Sequence, residues 1–386
     1  MSVTTPLTVL CEEISSASGM RIGIARLNAE KSLNSLTLTM IDLLAGQLQA
    51  WALNPDIAMV MLEGAGERAF CAGADLHRLH AACVAHHASP QRDDMRANQY
   101  ALDFFSREYR LDYAIHTYPK PVLCWGQGVV MGGGMGLMVG ASHRVVTEQA
   151  KVAMPEINIG LYADVAGSWF LARAPGKTGL FLALTAAPLN ASDAIFAGLA
   201  DYHIAHARKA AVMEALAQHR WQHDAERNAR ALGDLLRSFA EHELVHGPLR
   251  RHFDLINTLC DRHDALAIVA AIASLNNNND DWLKRAAATL AAGSPTTALL
   301  SIALQRKLRH GSLADVFRAE LVASLACAAR PDLTEGIRAL LIDKDRHPRW
   351  RPALPAEVTM ERIAGFFASP WAEDLHPLAD LGAMTA

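Results

Sequence analysis

Residues 8–27 alternate apolar and polar positions about the turn Ser16–Gly19, with RIGIARL (21–27) as the second arm. This period of two predicts a hairpin of strands. The spacing changes at TLTMIDLLAGQLQAWAL (37–53), where apolar residues recur at helical intervals behind a Thr-rich start. AMVMLEGAG (58–66) is a short apolar run ending in glycines, as a buried strand does. PVLCWGQGVVMGGGMGLMVGASHRVVTEQAKVAM (121–154) reads strand, glycine loop, helix, strand. Strands separated by helices predict an α/β core with crossover connections. Beyond about residue 205 helical period takes over. There GSPTTALLSIALQRKL (293–308) offers Ser294 as an N-cap and Pro295 at the first helical position. The expected division is therefore 1–205, an α/β core carrying the site, and 206–386, mostly helical. HAACVAHHASPQRDD (80–94) is expected to be a mobile surface loop, and NNNNDD (276–281) a solvated loop or helix start.

The stretch VVMGGGMGLMVG (129–140) places five glycines in an apolar run. Each costs roughly 0.5–1 kcal/mol relative to alanine in a regular element, so a backbone requirement is expected. A phosphate loop fits poorly: no lysine follows for a Walker motif, and after Gly126 and Gly128 the third glycine of a dinucleotide motif is replaced by Met131. An oxyanion hole fits better. Backbone N–H groups opening a helix have no intrahelical acceptor, carry partial positive charge, and are unscreened when the residues are glycine. ERAFCAGADL (67–76), with Gly73, offers the second tight turn that such a site needs.

Composition changes this picture little. The 386 residues are 51% hydrophobic and 20% charged, with a net charge of −4 and no basic run, so a nucleic-acid surface is not expected. Six cysteines are scattered without CxxC or zinc spacing and read as buried thiols in a reducing compartment. The seventeen histidines show no ligand-like pairing, and no metal is expected. MSVTTPLTVL has no signal-peptide pattern, and no run of eighteen apolar residues argues a membrane span, so a cytoplasmic protein is expected. No GxSxG elbow is present for a serine hydrolase.

RAFCAGADL (68–76), KPVLCWGQGVVMGGGMGL (120–137) and AMPEINIGLYADVAGSWFLAR (153–173), in this order, resemble the crotonase family, the enoyl-CoA hydratase/isomerase superfamily. The resemblance implies an α/β fold, a ClpP-like spiral of ββα units with a mostly helical C-terminal part. It implies that Ala74 and Gly133 supply the oxyanion N–H groups. It places coenzyme A along Lys31 and Leu33 of KSLNSL and along Ala72, Ala74, Asp75 and Leu76. Coenzyme A would belong to the substrate, with no separate cofactor. The partner implied is an acyl-CoA, with neither nucleic acid nor membrane, and a homotrimer is a family habit.

The carboxylates choose the reaction. Hydratases of the family carry one glutamate as GGGxE and a second in a PE dipeptide. Here GGGMG puts Gly136 at the first position, and Glu156 in MPE keeps the second. Asp164 follows eight residues later. This pattern, the pair Glu108–Tyr109, and the long tail with EGIRALLIDKDRHPRWRP (335–352) resemble the 3-hydroxyisobutyryl-CoA hydrolase branch. That branch reads PDVGG where this chain has Ala163-Asp164-Val165-Ala166-Gly167, which bears on the acyl pocket.

Thioester hydrolysis of a short β-hydroxyacyl-CoA in valine catabolism is the implied activity. Glu156 would act as base or nucleophile, Asp164 would orient it or hold the substrate hydroxyl, and Glu108 would meet the hydroxyl end. Bland readings stand beside these: Asp164 as a helix cap, Glu108 in a helical ion pair with a neighbouring arginine, Glu156 as a loop carboxylate. Rival functions are an enoyl-CoA hydratase or isomerase, which Gly136 disfavours, and an acyl-CoA-binding protein without turnover.

Overall fold

The alternation near the N-terminus folds as expected in the computed structural model, which describes residues 7–241 and 244–383. Strands β1 (Val9–Ser15) and β2 (Arg21–Leu27) pair antiparallel. Thr37 caps helix α1 (Leu38–Leu53), its side chain accepting from the Met40 N–H. The run after it is buried at every position and forms β3 (Ile57–Gly64), parallel to β2. Continuous apolar character suits a parallel strand covered on both faces.

A repeat of strand, strand, helix then builds two sheets. β3 is followed by β4 (Ala69–Cys71) and helices α2 (Leu76–His87) and α3 (Gln99–His116). β5 (Val122–Gly126) and β6 (Val129–Met131) precede α4 (Gly133–Gly140). β7 (His143–Val146) and β8 (Lys151–Ala153) precede a 3-10 turn, Glu156–Ile159, and α5 (Gly167–Phe170). The first strand of each pair joins the larger sheet, ordered β1-β2-β3-β5-β7-β9, with β9 at Tyr202–His203. The second strand of each pair joins the smaller sheet, β4-β6-β8. This is the spiral of ββα units implied by the resemblance.

Two compact units account for the chain, with segments that alternate along it. The first holds residues 1–74, 114–152 and 189–247. Its core sets Ile22, Met59, Leu123 and Trp125 of the large sheet against Leu216, Trp221, Leu232 and Leu236. The helices Lys209–Gln218 and Ala225–Phe239 therefore belong with the sheet. The second unit holds residues 75–113, 153–188 and 248–386, and is helical apart from the end of β8. Its helix Pro295–Leu308 begins as read from sequence, with Ser294 as N-cap and Pro295 first.

Residues 80–94 differ from expectation. Asp75 accepts from the His77 N–H at 3.2 Å and starts α2, which buries Leu79, Cys83 and His86 at spacings of four and three. Buried histidine hid that stripe. Cys11 is exposed, while the other cysteines are buried.

Candidate active site

In the first unit the glycine loop and the Gly73 turn come together. Gly132 caps α4 at φ 53, ψ −125, a conformation suited to glycine alone, and leaves the Gly133 N–H at the open end of the helix. Gly73 lies at φ 102, and a Cβ there would sit 3.3 Å from the Met131 carbonyl oxygen and 3.6 Å from the Gly133 nitrogen. Gly134 is needed for close approach, since a Cβ would sit 2.4 Å from the Cys71 carbonyl oxygen. Neither the Ala74 nor the Gly133 N–H donates to a backbone carbonyl in the described loops and caps. The KSLNSL segment borders the same turn: the Ala72 N–H donates to the Leu33 carbonyl at 3.0 Å and the Leu36 N–H to that of Gly73 at 2.7 Å. Lys31 lies in the short 3-10 turn Glu30–Ser32 just before Leu33. Asp75 and Leu76 open α2, where the Asp75 carboxylate is engaged as the N-cap. Gly136 is buried within α4, whose residues Gly133–Gly140 carry no ionisable side chain.

The second unit gathers carboxyl groups instead. Glu108, Asp112, Glu156, Asp164 and Glu320 are all buried. Glu108 and Asp112, four residues apart, share one face of α3. Among the described residues Glu108 makes no arginine pair: its neighbours Arg107 and Arg110 bind Asp103 and Asp380. Glu156 opens its 3-10 turn after Pro155. One oxygen of Glu108, one of Glu156 and both of Asp112 have no hydrogen-bond partner among the described residues. Burial, reinforced by the charge of Asp164, holds the Glu108 and Glu156 carboxyls well above the usual range. Asp112 is raised likewise, by burial and then by Glu108. Carboxyls raised in this way hold a proton more tightly than free ones, a property suited to acid–base catalysis.

Asp164 is no helix cap, since α5 begins behind Ala166 without a side-chain cap. Its Oδ2 accepts from the Tyr109 hydroxyl at 2.7 Å. Burial pushes its carboxyl up to about 6, while that hydroxyl pulls the other way. The two residues after it, Val165 and Ala166, both have left-handed backbone, at φ 50 and φ 67. A β-branched residue there is strained, so the surroundings must hold it. Glu320 does so: its carboxylate accepts from the Ala166 N–H at 2.7 Å and the Ser168 N–H at 2.9 Å. Burial pushes Glu320 up to about 8 against these donors. Glu320 and Ser324 escaped the sequence reading. They are polar residues four apart in LVASLACA's helix, Leu313–Ala328, whose remaining neighbours on that stretch are buried and apolar.

The C-terminal tail braces the Glu156 turn. The Ser294 N–H donates to the Ile157 carbonyl at 3.1 Å, and Ser294 Oγ to Asp332 at 2.7 Å. Gly160 and Gly336 let the turn and the helix Pro331–Ile337 meet at backbone distance. Beyond it Arg338 ties Asp343 and Asp345 at 2.6 and 2.7 Å, so the IDKD run is a structural hub of the tail. Among the described residues no three His, Cys, Asp or Glu side chains converge as metal ligands, and no single helix is long and apolar enough to cross a membrane.

A family model described as enoyl-CoA hydratase/isomerase matches residues 22–367. The chain belongs to the enoyl-CoA hydratase/isomerase family. Curated members similar to it are the mitochondrial 3-hydroxyisobutyryl-CoA hydrolases of Xenopus tropicalis, Gallus gallus and Homo sapiens. The first is 35% identical, covering 92% of this chain and 88% of that protein. The second is 36% identical over 89% and 86%. The third is 34% identical over 92% and 88%. Two solved structures superpose with TM-scores of 0.80. One is described as a carnitinyl-CoA dehydratase from Mycobacterium thermoresistibile, 34% identical and covering 94% of this chain and 96% of that one. The other is an enoyl-CoA hydratase from Rhodobacter sphaeroides 2.4.1, 31% identical, covering 94% and 98%. The family resemblance thus runs nearly end to end, tail included. The cytoplasmic expectation is corrected here, because the curated relatives are mitochondrial proteins. Cysteines outside disulfides do not name the compartment.

Proposed function

We propose that this family member is an acyl-CoA thioester hydrolase that cleaves 3-hydroxyisobutyryl-CoA to 3-hydroxyisobutyrate and coenzyme A, a step of valine catabolism. The observation that carries the reading is the carboxylate pattern. α4 offers no acid beside the Gly133 N–H, with Gly136 at the position where a hydratase has its first glutamate, while Glu156 is buried, poised high and short of a partner. The similarity of the chain to curated 3-hydroxyisobutyryl-CoA hydrolases over about nine-tenths of its length supports the same choice. The Ala74 and Gly133 N–H groups polarise the thioester carbonyl and stabilise the oxyanion. Glu156 takes the proton of the attacking water, or itself attacks to give an anhydride that water opens. In either route a C–O bond forms, the C–S bond breaks, and the thiolate leaves with a proton. Glu108 and Asp164 face the hydroxyacyl group and set the charge around Glu156. Lys31, Leu33, Ala72, Asp75 and Leu76 line the coenzyme A path, and no further cofactor takes part.

The test is thiol release from 3-hydroxyisobutyryl-CoA and from crotonyl-CoA, run beside the loss of enoyl absorbance. Thiol release from the hydroxyacyl thioester is expected. Loss of crotonyl absorbance without thiol release would instead make the chain a hydratase, as one structural neighbour is described. Tight acyl-CoA binding with neither signal would make it a binding protein.

A further inference from the structure

Behind Asp164 runs a file of hydroxyl groups. Tyr109 Oη lies 2.7 Å from Asp164 Oδ2 and 2.7 Å from Ser324 Oγ. Ser324 Oγ lies 2.8 Å from Tyr162 Oη, and the Tyr162 hydroxyl donates to the Glu320 carbonyl oxygen at 2.8 Å. All of these side chains are buried.

Each hydroxyl carries one hydrogen and two lone pairs, so the protons can be counted. One end of the file is a carboxyl that accepts when ionised and donates when protonated. The other end is a carbonyl that only accepts. With Asp164 ionised, Tyr109 donates to it, Tyr162 donates to the carbonyl, and Ser324 donates to either phenol oxygen. With Asp164 protonated on Oδ2, the carboxyl donates to Tyr109 Oη, Tyr109 turns its hydrogen to Ser324, Ser324 donates to Tyr162, and Tyr162 still donates to the carbonyl. Neither state leaves a buried hydrogen without an acceptor. The change needs hydroxyl rotations and no movement of heavy atoms.

We propose that Ser324 is a positioning residue which, through Tyr109 and Tyr162, lets Asp164 take up and release a proton during turnover without stranding a buried hydrogen bond. No proton travels along the file; its hydrogens only reverse direction. The proposal rests on the reading of Asp164 as part of the hydrolytic site. A buried donor without an acceptor is expensive, which is why the third hydroxyl matters. Without Ser324, an Asp164 protonated on Oδ2 would occupy Tyr109 Oη and leave the Tyr109 hydrogen nowhere to go. The groups that face Asp164 are Glu108, Tyr109 and Asp112 from α3, Glu156 from its turn, Tyr162 from its own loop, and Glu320 and Cys327 from the helix Leu313–Ala328. None of them is basic, so no cation among them holds Asp164 in its ionised state.

The test follows the Asp164 carboxyl directly in the full-length protein labelled with 13C at the aspartate side-chain carboxyl, its signal assigned by loss in Asp164→Asn. Ser324→Ala is expected to lower the titration midpoint of Asp164 by about one unit or more, a tenfold change in its proton affinity. Ser324→Thr, which keeps the hydroxyl, is expected to restore it. Tyr162→Phe, which removes the next acceptor, is expected to lower it as well, and reads the file from its far end if Ser324→Ala fails to fold. A midpoint unchanged in Ser324→Ala or in Tyr162→Phe overturns the proposal. The pH profile of thiol release is recorded on the same variants. If the midpoints move as expected while Asp164→Asn retains full thiol release, the file stands and the hydrolytic role of Asp164 fails.

Discussion

The Gly73–Gly133 region of the first unit and the carboxyl cluster of the second offer chemistry of different kinds. In the first, the reacting groups are backbone N–H donors, and the sequence supplies only permission: glycine where φ is positive or where backbones touch. In the second, the reacting groups are side chains whose acidity depends on burial and on one another. The first is therefore expected to fail through added bulk and to ignore pH. The second is expected to respond to pH and to residues remote in sequence, such as Glu320.

A large effect should come from Gly134→Ala. Its Cβ would press 2.4 Å from the Cys71 carbonyl oxygen, a backbone atom that cannot swing away. The start of α4 must then retreat, and loss of an oxyanion donor costs roughly 100-fold or more in turnover. Ala74→Ser, which keeps its N–H, should change thiol release by less than about fivefold. Equal losses in both variants, measured by thiol release, would break the contrast.

Next in size is the pH dependence of stability. Asp164 holds its proton in the folded state up to about 6, against an ordinary value of 3.8. The folded protein binds more protons than the unfolded chain in that window, so stability falls as pH rises from about 4 through 6, by roughly 3 kcal/mol. Glu320 extends the fall to about 8. Asp94 and Asp380, shifted downward by arginine partners, and Asp315, shifted downward by its bond with Ser312 and then by Arg318, act only below this range. Urea unfolding at pH 5, 6.5 and 8 should show the decline, and Asp164→Asn should flatten its lower part.

Glu320→Gln should cost about 1–3 kcal/mol. The amide has one oxygen for the two N–H donors that Glu320 now satisfies, and the left-handed pair Val165–Ala166 loses its anchor. Thermal unfolding measures it. Ser294→Ala should cost less, about 1 kcal/mol for the cap and its bond to Asp332. It should lower turnover modestly, because the Glu156 turn keeps its backbone bond to residue 294.

These differences also decide what could be read from the sequence. The hairpin, α1, β3 and the glycine loop announce themselves because period, caps and glycine placement act locally. Helix α2 did not, because its buried stripe includes His86, which binds the carbonyls of Gln91 and Asp94 and so behaves as a core residue. The sequence offered Glu156, Asp164 and Glu108 through motifs, and the fold buries all three in one unit. Glu320 and Ser324 gave only a faint signal, two polar residues one turn apart in an apolar helix, because their partners lie more than 150 residues away in the chain. The helices at 209–218 and 225–239 read correctly as helices, yet their packing on the large sheet is a long-range fact that helical period does not carry.

The central claim is that the Glu156 carboxyl drives thioester cleavage. Its most direct test is kcat/KM for thiol release from 3-hydroxyisobutyryl-CoA by Glu156→Gln beside the wild-type chain, with circular dichroism as the check on folding. The account predicts a fall of roughly 10³-fold with the fold intact. A folded variant that cleaves the thioester within about tenfold of wild type would contradict it.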